Sequence, residues 1–372
     1  MARCLGILFG VTSSSWGGNE KWAIEAARSL SARGHRVKLL FSHPAVQRQI
    51  EARRLPLRPI RLRGDLDVAG LASFVRSLRQ ESPDVLVLTK QREYWLGGLA
   101  AQLAGRPLVA LRLGLRRPLA DDLKRRLAFG RFADLVIVNS EGVAEELRAV
   151  RWLDQSKVRV VRNGADGRPV DPAVGRQALE ALGVPSGAPV VCGAGRLARM
   201  KGFDLLVRAF ADVRKSVPGS WLVILGEGGQ RADLEREADQ AGVAHATVFA
   251  GHRDDVREVL SAAAVYALSS TNEGMANTLL EAMSVGAPVV ATDVSGTREA
   301  VRDGVDALVV PPGDPQALAR AITTLFRDPA LARRLGDSAA ARARDAFTYE
   351  RMASELEGTF TSALEARRAE GR

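Results

Sequence analysis

Short apolar runs without polar alternation recur along this chain, and amphipathic stretches separate them. In the first half they are Leu5–Val11, Val37–Phe41, Val85–Thr89, Leu108–Leu111 and Leu135–Val138. A strand with one face in water alternates polar and apolar residues, so a run that is apolar throughout is covered on both faces. The helix-patterned segments between these runs, among them Glu20–Arg33, Leu66–Glu81 and Glu141–Val150, supply the crossovers that parallel strands require. Ser31-Ala-Arg-Gly34-His35 closes the first helix with a glycine suited to a left-handed C-cap.

The pattern then starts again. Strands are expected at Val190–Gly193, Trp221–Leu225, Thr247–Ala250, Val265–Leu268, Pro288–Ala291 and Ala307–Val310. Helices are expected at Gly202–Lys215, Gln230–Ala241 and Val256–Ala262, with another opening near Asn277. Between the two arrays, residues 165–175 are rich in Gly, Pro and Asp and read as a linker. The expectation is an α/β chain of two Rossmann-like parallel-sheet domains facing across a cleft, residues 1–165 and 176–348. The charged helix at 350–372 is expected to pack back on the first domain. A chain of 372 residues is long enough for two separate cores.

Charge is spread unevenly. Residues 1–168 hold 30 Lys and Arg against 16 Asp and Glu, whereas the remainder holds 23 against 27. Dense clusters lie at Arg53–Arg63 and Arg112–Arg126. The basic half suits an anionic partner, whether a membrane surface, a phosphorylated acceptor or nucleic acid, and equally suits the solvated faces of an Arg-rich chain. Cys4 and Cys192 read as buried strand residues in a reducing compartment, not as a disulfide. His35, His43, His245 and His252 have no metal-ligand spacing, and His35 fits a structural place in a turn. The first apolar run reads as a strand, not as a signal peptide, and no run has the length of a bilayer span. A cytoplasmic protein follows, with a basic half able to meet the inner face of a membrane.

Two segments carry the chemistry. Glu273-Gly274-Met275-Ala276-Asn277 leads from a strand into a helix that also bears Glu281. A helix N-terminus offers free N–H groups and positive partial charge to a phosphate, while carboxylates beside it accept hydrogen bonds from sugar hydroxyls. Gly195-Arg196…Lys201-Gly202 follows the first strand of the second array. Arg196 can grip a phosphate bidentately and Lys201 adds a point charge, which suits a diphosphate that gains charge as its bond to a sugar breaks. Each alone also fits a bland role, a basic helix cap or a pair of glutamates favouring the helix dipole. A third segment, Trp16-Gly17-Gly18-Asn19-Glu20, lets backbone approach a ligand closely but is not a GxGxxG fingerprint. Neither a Walker loop nor a GxSxG elbow is present. Lys90, Arg92, Tyr94 and Trp95 could line an acceptor pocket or form a packed aromatic corner.

In this order the motifs resemble the retaining GT-B glycosyltransferases of the group-1 type (family GT4), over nearly the whole chain. Gly17-Gly18-Asn19-Glu20 with Gly34-His35 is similar to the family's N-terminal loop and helix, and Asn163-Gly164-Ala165-Asp166 to its entry to the linker. Glu273 through Glu281 is similar to its Glu-x7-Glu signature, and Gly286-Ala-Pro-Val-Val-Ala to the strand that follows. The resemblance implies that Arg196 and Lys201 neutralise a leaving diphosphate, that Glu273 meets donor-sugar hydroxyls, and that Glu281 meets the ribose. Backbone at Gly195 and from Gly274 through Met275 and Ala276 to Asn277 would meet phosphate or sugar, and Gly17 and Gly18 would line the same substrates. It further implies retention of anomeric configuration, no metal, no cofactor beyond the nucleotide sugar, and no nucleic-acid partner. The acceptor implied is an envelope glycolipid, lipopolysaccharide or polysaccharide hydroxyl. A soluble small-molecule acceptor is the alternative, and a basic anion- or nucleic-acid-binding module without turnover is the reading from another class. The sequence departs from the family twice: Ala110-Leu-Arg112-Leu-Gly114 stands where a histidine is usual, which makes Arg112 a candidate substrate contact, and Glu-Gly-Met-Ala-Asn replaces Glu-Gly-Phe-Gly.

Overall fold

A computed structural model describes residues 3–13, 17–62, 64, 67–114 and 119–370. The chain divides into two compact units, residues 1–163 with 349–372 and residues 164–348. Arg116 and Arg117 of the second basic cluster, and Trp16 of the first turn, lie outside the described residues.

Among the described residues, the first unit has seven parallel strands: β1 (Gly6–Val11), β2 (Arg36–Phe41), β3 (Leu57–Pro59), β4 (Val85–Leu88), β5 (Leu108–Leu113), β6 (Leu135–Val138) and β7 (Val158–Val160). Their order across the sheet is β3-β2-β1-β4-β5-β6-β7. The apolar runs at β1, β4 and β6 are buried at every position, as a sheet covered on both faces demands. The short edge strands β3 and β7 lie outside the sequence expectation because three residues carry too little pattern to stand out. The helix Gly18–Ala32 does end through Gly34, at φ +92°, and His35 is buried with its Nδ1 accepting from Leu5 N at 3.2 Å.

The helix Tyr349–Ala369 belongs to this unit. It contributes Tyr349, Met352, Leu356 and Phe360 to a core shared with Trp22, Ile24 and Leu30. Arg33 donates to Glu357 at 2.6 Å, fixing its register. Among the described residues no helix is long and apolar enough to cross a membrane.

The second unit has six parallel strands among the described residues: β8 (Val190–Ala194), β9 (Trp221–Leu225), β10 (Thr247–Gly251), β11 (Val265–Leu268), β12 (Val289–Thr292) and β13 (Leu308–Val310). They run in the order β10-β9-β8-β11-β12-β13. Residues 165–175 are not wholly a linker. Asp171 accepts from Ala173 N at 2.8 Å and caps a helix, Pro172–Glu180, that already includes Gly175. A Cβ on Gly175 would fall 2.2 Å from Glu258 O, so this glycine serves close helix packing, not flexibility. The chain enters this unit beside its exit, Ala165 N donating to Phe347 O at 2.8 Å. Cys192 is buried in β8, where burial pushes its thiol up to about 12. Cys4, by contrast, is exposed: it precedes β1, and its thiol contacts Gly34 O at 3.1 Å.

Because Phe360 is fully buried, Phe360→Ala is expected to destabilise the first unit by about 3–5 kcal/mol. Denaturant unfolding followed through Trp22 checks this; a loss below about 1 kcal/mol would mean that the helix is only loosely applied to the core.

Candidate active site

In an open parallel sheet the loops leaving the carboxyl ends of two neighbouring strands diverge where the strand order reverses, and the crevice between them receives ligands. The second sheet reverses between β8 and β11. The loop after β8 carries Gly195–Gly202, and the loop after β11 carries Ser269–Ala276. The topology therefore brings both chemistry-bearing segments to one place.

Local bonding holds them there. Ser269 Oγ donates to Lys201 O at 2.9 Å, and Thr271 N donates to Met200 O at 2.9 Å, so the two loops are stitched together. Gly202 sits at φ +61°, and a Cβ there would fall 2.1 Å from Ser269 O. Thr292 Oγ1, at the end of β12, donates to Ser270 O at 2.6 Å and supports the second loop from the far side.

At the crossing point the Lys201 ammonium pairs with Glu273 Oε1, which also accepts from Ser270 Oγ at 3.0 Å. Glu273 is buried and Lys201 mostly so. Both contacts fall on one carboxylate oxygen, which leaves Oε2 to accept from a ligand hydroxyl. An ammonium has three donors, and the pair fixes its position without using all of them. Arg196 is exposed and makes no ion pair among the described residues. Gly195, at φ +149°, lies against the Lys201 side chain; a Cβ there would come 3.3 Å from its Cε.

Gly274, Met275 and Ala276 are buried and lead into the helix Asn277–Ser284, whose N-cap residue, Ala276, makes no side-chain hydrogen bond. The N–H groups and positive partial charge of a helix start favour an anion. Glu281 is 2 % exposed and lies one turn inside this helix. Fully buried Tyr266 of β11 ties the helix down through a 2.8 Å hydrogen bond to Thr278 Oγ1. Burial raises its phenol pKa far above the ordinary value, so it remains a neutral hydrogen-bonding group.

Sequence reasoning missed several glycines that make this geometry fit. Gly226 and Gly228, in the loop after β9, stand at φ +141° and +158°. A Cβ on Gly226 would fall 1.9 Å from Gly195 O, and one on Gly228 2.3 Å from Leu197 O. A Cβ on Gly296 would fall 1.5 Å from Gly274 O. These residues form the back wall of the two loops, and the Gly-Glu-Gly spacing at 226–228 is the sequence signal that points to them.

The first sheet reverses between β1 and β4. Arg112, the candidate substrate contact, lies inside β5 and is 2 % exposed. Its guanidinium donates to Asn19 Oδ1 and, at 2.9 Å, to Asn163 Oδ1, and stacks over Trp22 at 4.5 Å from the ring centroid. Desolvation lowers its pKa to about 10, which still leaves it charged at neutral pH. Arg112 thus holds the helix after the first turn from beneath. Gly17 precedes that helix and Gly18 opens it. Glu20, buried in the same turn, pairs with Lys90 at 2.5 Å and already supplies the negative charge that the helix start favours. Also missed was Glu93, which is fully buried. It accepts from Thr12 N and Oγ1 at 2.6 Å each, from Thr89 N at 2.7 Å and from Lys90 N at 3.0 Å, clamping the ends of β1 and β4 together. Tyr94 is buried and donates to Arg112 O at 2.6 Å, so it belongs to the packed interior.

Two family models match the two halves of the chain, Glycosyltransferase Family 4 over residues 16–167 and Glycosyl transferases group 1 over residues 176–342. The chain belongs to the group 1 glycosyltransferases. It is 33% identical to the lipopolysaccharide core biosynthesis glycosyltransferase LpsE of Rhizobium meliloti, over 86% of this chain and 89% of that relative. It is also 33% identical to a D-inositol 3-phosphate glycosyltransferase of Streptomyces avermitilis, covering 74% of this chain and 65% of that one. Among solved structures it resembles Anabaena Alr3699/HepE in complex with UDP-glucose, with a TM-score of 0.85, 25% identity, and coverage of 96% of this chain and all of that one. The two Rossmann-like parallel-sheet domains are those of a GT-B glycosyltransferase.

Gly202→Ala should force the β8 and β11 loops apart as well as strain the backbone, costing on the order of 1–3 kcal/mol and weakening nucleotide binding. Gly304→Ala is the control: its φ of +69° is similar, but open space surrounds it, so it should cost stability without changing affinity. Equal effects of the two substitutions on binding would refute the stitched-loop account.

Proposed function

We propose that this glycosyltransferase moves a sugar from a nucleoside-diphosphate donor to a hydroxyl of an envelope glycolipid, lipopolysaccharide or polysaccharide, with retention of configuration. The carrying observation is the Lys201–Glu273 pair at the switch point of the second sheet, beside the start of the helix Asn277–Ser284. As the anomeric C–O bond breaks, the electron pair stays on the departing diphosphate, and charge rises on its terminal oxygens. The Lys201 ammonium and Arg196 guanidinium lie in the segment suited to neutralise that charge, and preorganised cations do so without reorganising in the transition state. Glu273 Oε2 accepts from a donor-sugar hydroxyl, and Glu281 serves the ribose. The acceptor oxygen forms its bond on the face the diphosphate leaves, and its proton passes to a diphosphate oxygen. No protein nucleophile is then required.

In this reading the two cations carry the compensation a divalent ion would otherwise provide, and no cofactor beyond the nucleotide sugar takes part. The similarity to a lipopolysaccharide core enzyme over most of both chains supports the envelope acceptor. The basic first half of the chain supports contact with the anionic inner face of a membrane. A soluble phosphorylated acceptor is the second reading, favoured by the similarity to a D-inositol 3-phosphate enzyme.

A thermal-shift panel of UDP, GDP, ADP and CMP without added metal tests the donor site. A ligand at about 100 times its Kd adds roughly 2.7 kcal/mol, a shift of a few degrees. One diphosphate should shift the protein selectively, Lys201→Ala should abolish the shift and lower turnover by about 10²–10³, and EDTA should change neither. No response to any nucleotide would overturn the transferase mechanism. Product anomer assignment by NMR checks retention.

A further inference from the structure

A second basic feature of the first unit is unexplained by the donor chemistry. A pocket of about 510 Å³ opens at the carboxyl ends of β1, β2, β3 and β4, and its charged walls are Arg61, Lys90 and Arg92. Ser42 and His43 line it as well, and Ile60 and Leu62 give it an apolar side. Among these lining residues there is no carboxylate. Lys90 is neutralised by Glu20, but Arg61 and Arg92 are exposed and form no ion pair among the described residues. His43 caps the following helix by accepting from Ala45 N through Nδ1 at 3.2 Å. In the neutral imidazole that assignment places the proton on Nε2, which makes it a donor.

Two guanidiniums without an ion pair and an imidazole donor in a concave site, with no carboxylate among its described lining residues, suit a compact dianion better than a neutral sugar. We propose that this pocket is a phosphate subsite that takes a phosphomonoester group. Its assignment to the acceptor rests on the transferase reading above; the binding itself does not. The phosphate could sit on a soluble molecule or on a lipid headgroup, and the chemistry of recognition is the same.

Calorimetric titration with glycerol 1-phosphate at fixed ionic strength tests this. The second unit also has a candidate phosphate site, so the wild type is compared with Arg61→Gln/Arg92→Gln and, separately, with Lys201→Ala. The paired arginine variant should bind at least about tenfold more weakly. Lys201→Ala should bind as the wild type does, and Arg61→Lys/Arg92→Lys should recover part of the loss, because charge is kept while the planar fork is not. Both arginines are exposed, so an unchanged thermal midpoint should verify folding. Absence of binding by the wild type, or loss in Lys201→Ala with the arginine variant unaffected, overturns the subsite. Failure of the transferase reading would appear separately, as no nucleotide response with the glycerol phosphate results intact. Co-sedimentation with phosphatidylcholine vesicles, with and without phosphatidic acid, separates the sources. Retention that requires phosphatidic acid and both arginines assigns a lipid headgroup, and glycerol phosphate binding without retention assigns a soluble phosphate; either outcome supports the subsite.

Discussion

The buried contact between Lys201 and Glu273 organises the second unit's chemistry. It joins two loops that sequence separates by some seventy residues and that only a parallel sheet reversing between β8 and β11 can bring together. A buried ion pair is weak evidence for stability, since desolvation offsets much of the attraction. Its value here is positional. The carboxylate fixes where the ammonium stands through Oε1, and Oε2 takes no part in that contact. The stitching by Ser269 and Thr271, and the glycines that permit close approach, are what make that position reproducible.

The first unit solves the same topological problem with different chemistry. Its sheet reverses between β1 and β4, and the carboxylate just beyond β4, Glu93, spans the two loops as Glu273 does beyond β11. Glu93 takes its hydrogen bonds from backbone N–H groups and the Thr12 hydroxyl, and no exposure remains to it. Glu93 is therefore a closed clamp, whereas both contacts of Glu273 fall on one of its two oxygens. Arg112 completes the contrast. It is a charged group turned entirely to internal use, held by Asn19, Asn163 and the face of Trp22. A residue there without donors would remove this donor from the buried Asn163 oxygen and from the half-buried Asn19 oxygen.

Much of this was legible in the residues. Strands buried on both faces announce themselves as unbroken apolar runs, so all six strands of the second sheet and five of the first could be placed before any coordinates. The two segments that the topology brings together at the second switch point were legible because Arg, Lys and Glu occur there at helix starts after strands. What escaped notice has physical causes. Strands β3 and β7 are three residues each and carry no periodicity. The helix after Asp171-Pro172 was signalled by its cap and its proline, but Gly175 looked like flexibility until its contact with Glu258 showed it to be a packing residue. Cys4 is exposed where burial was expected, and the burial of Arg112 carried no local signal, because the residues that decide their surroundings are distant in sequence. Glu93 carried only the local signal of a helix N3 carboxylate; its bond to Thr12, just beyond β1, lies 81 residues away.

The central claim is that Glu273 acts on a bound diphosphate through the position of Lys201. A double-mutant cycle on nucleoside-diphosphate affinity, with Lys201→Met, Glu273→Gln and the pair, addresses it directly. The account predicts that Glu273→Gln alters affinity when Lys201 is present and has little effect when it is absent, a coupling on the order of 0.5–3 kcal/mol. Strict additivity of the two substitutions would contradict it, and would leave the ion pair as two independent groups that happen to touch.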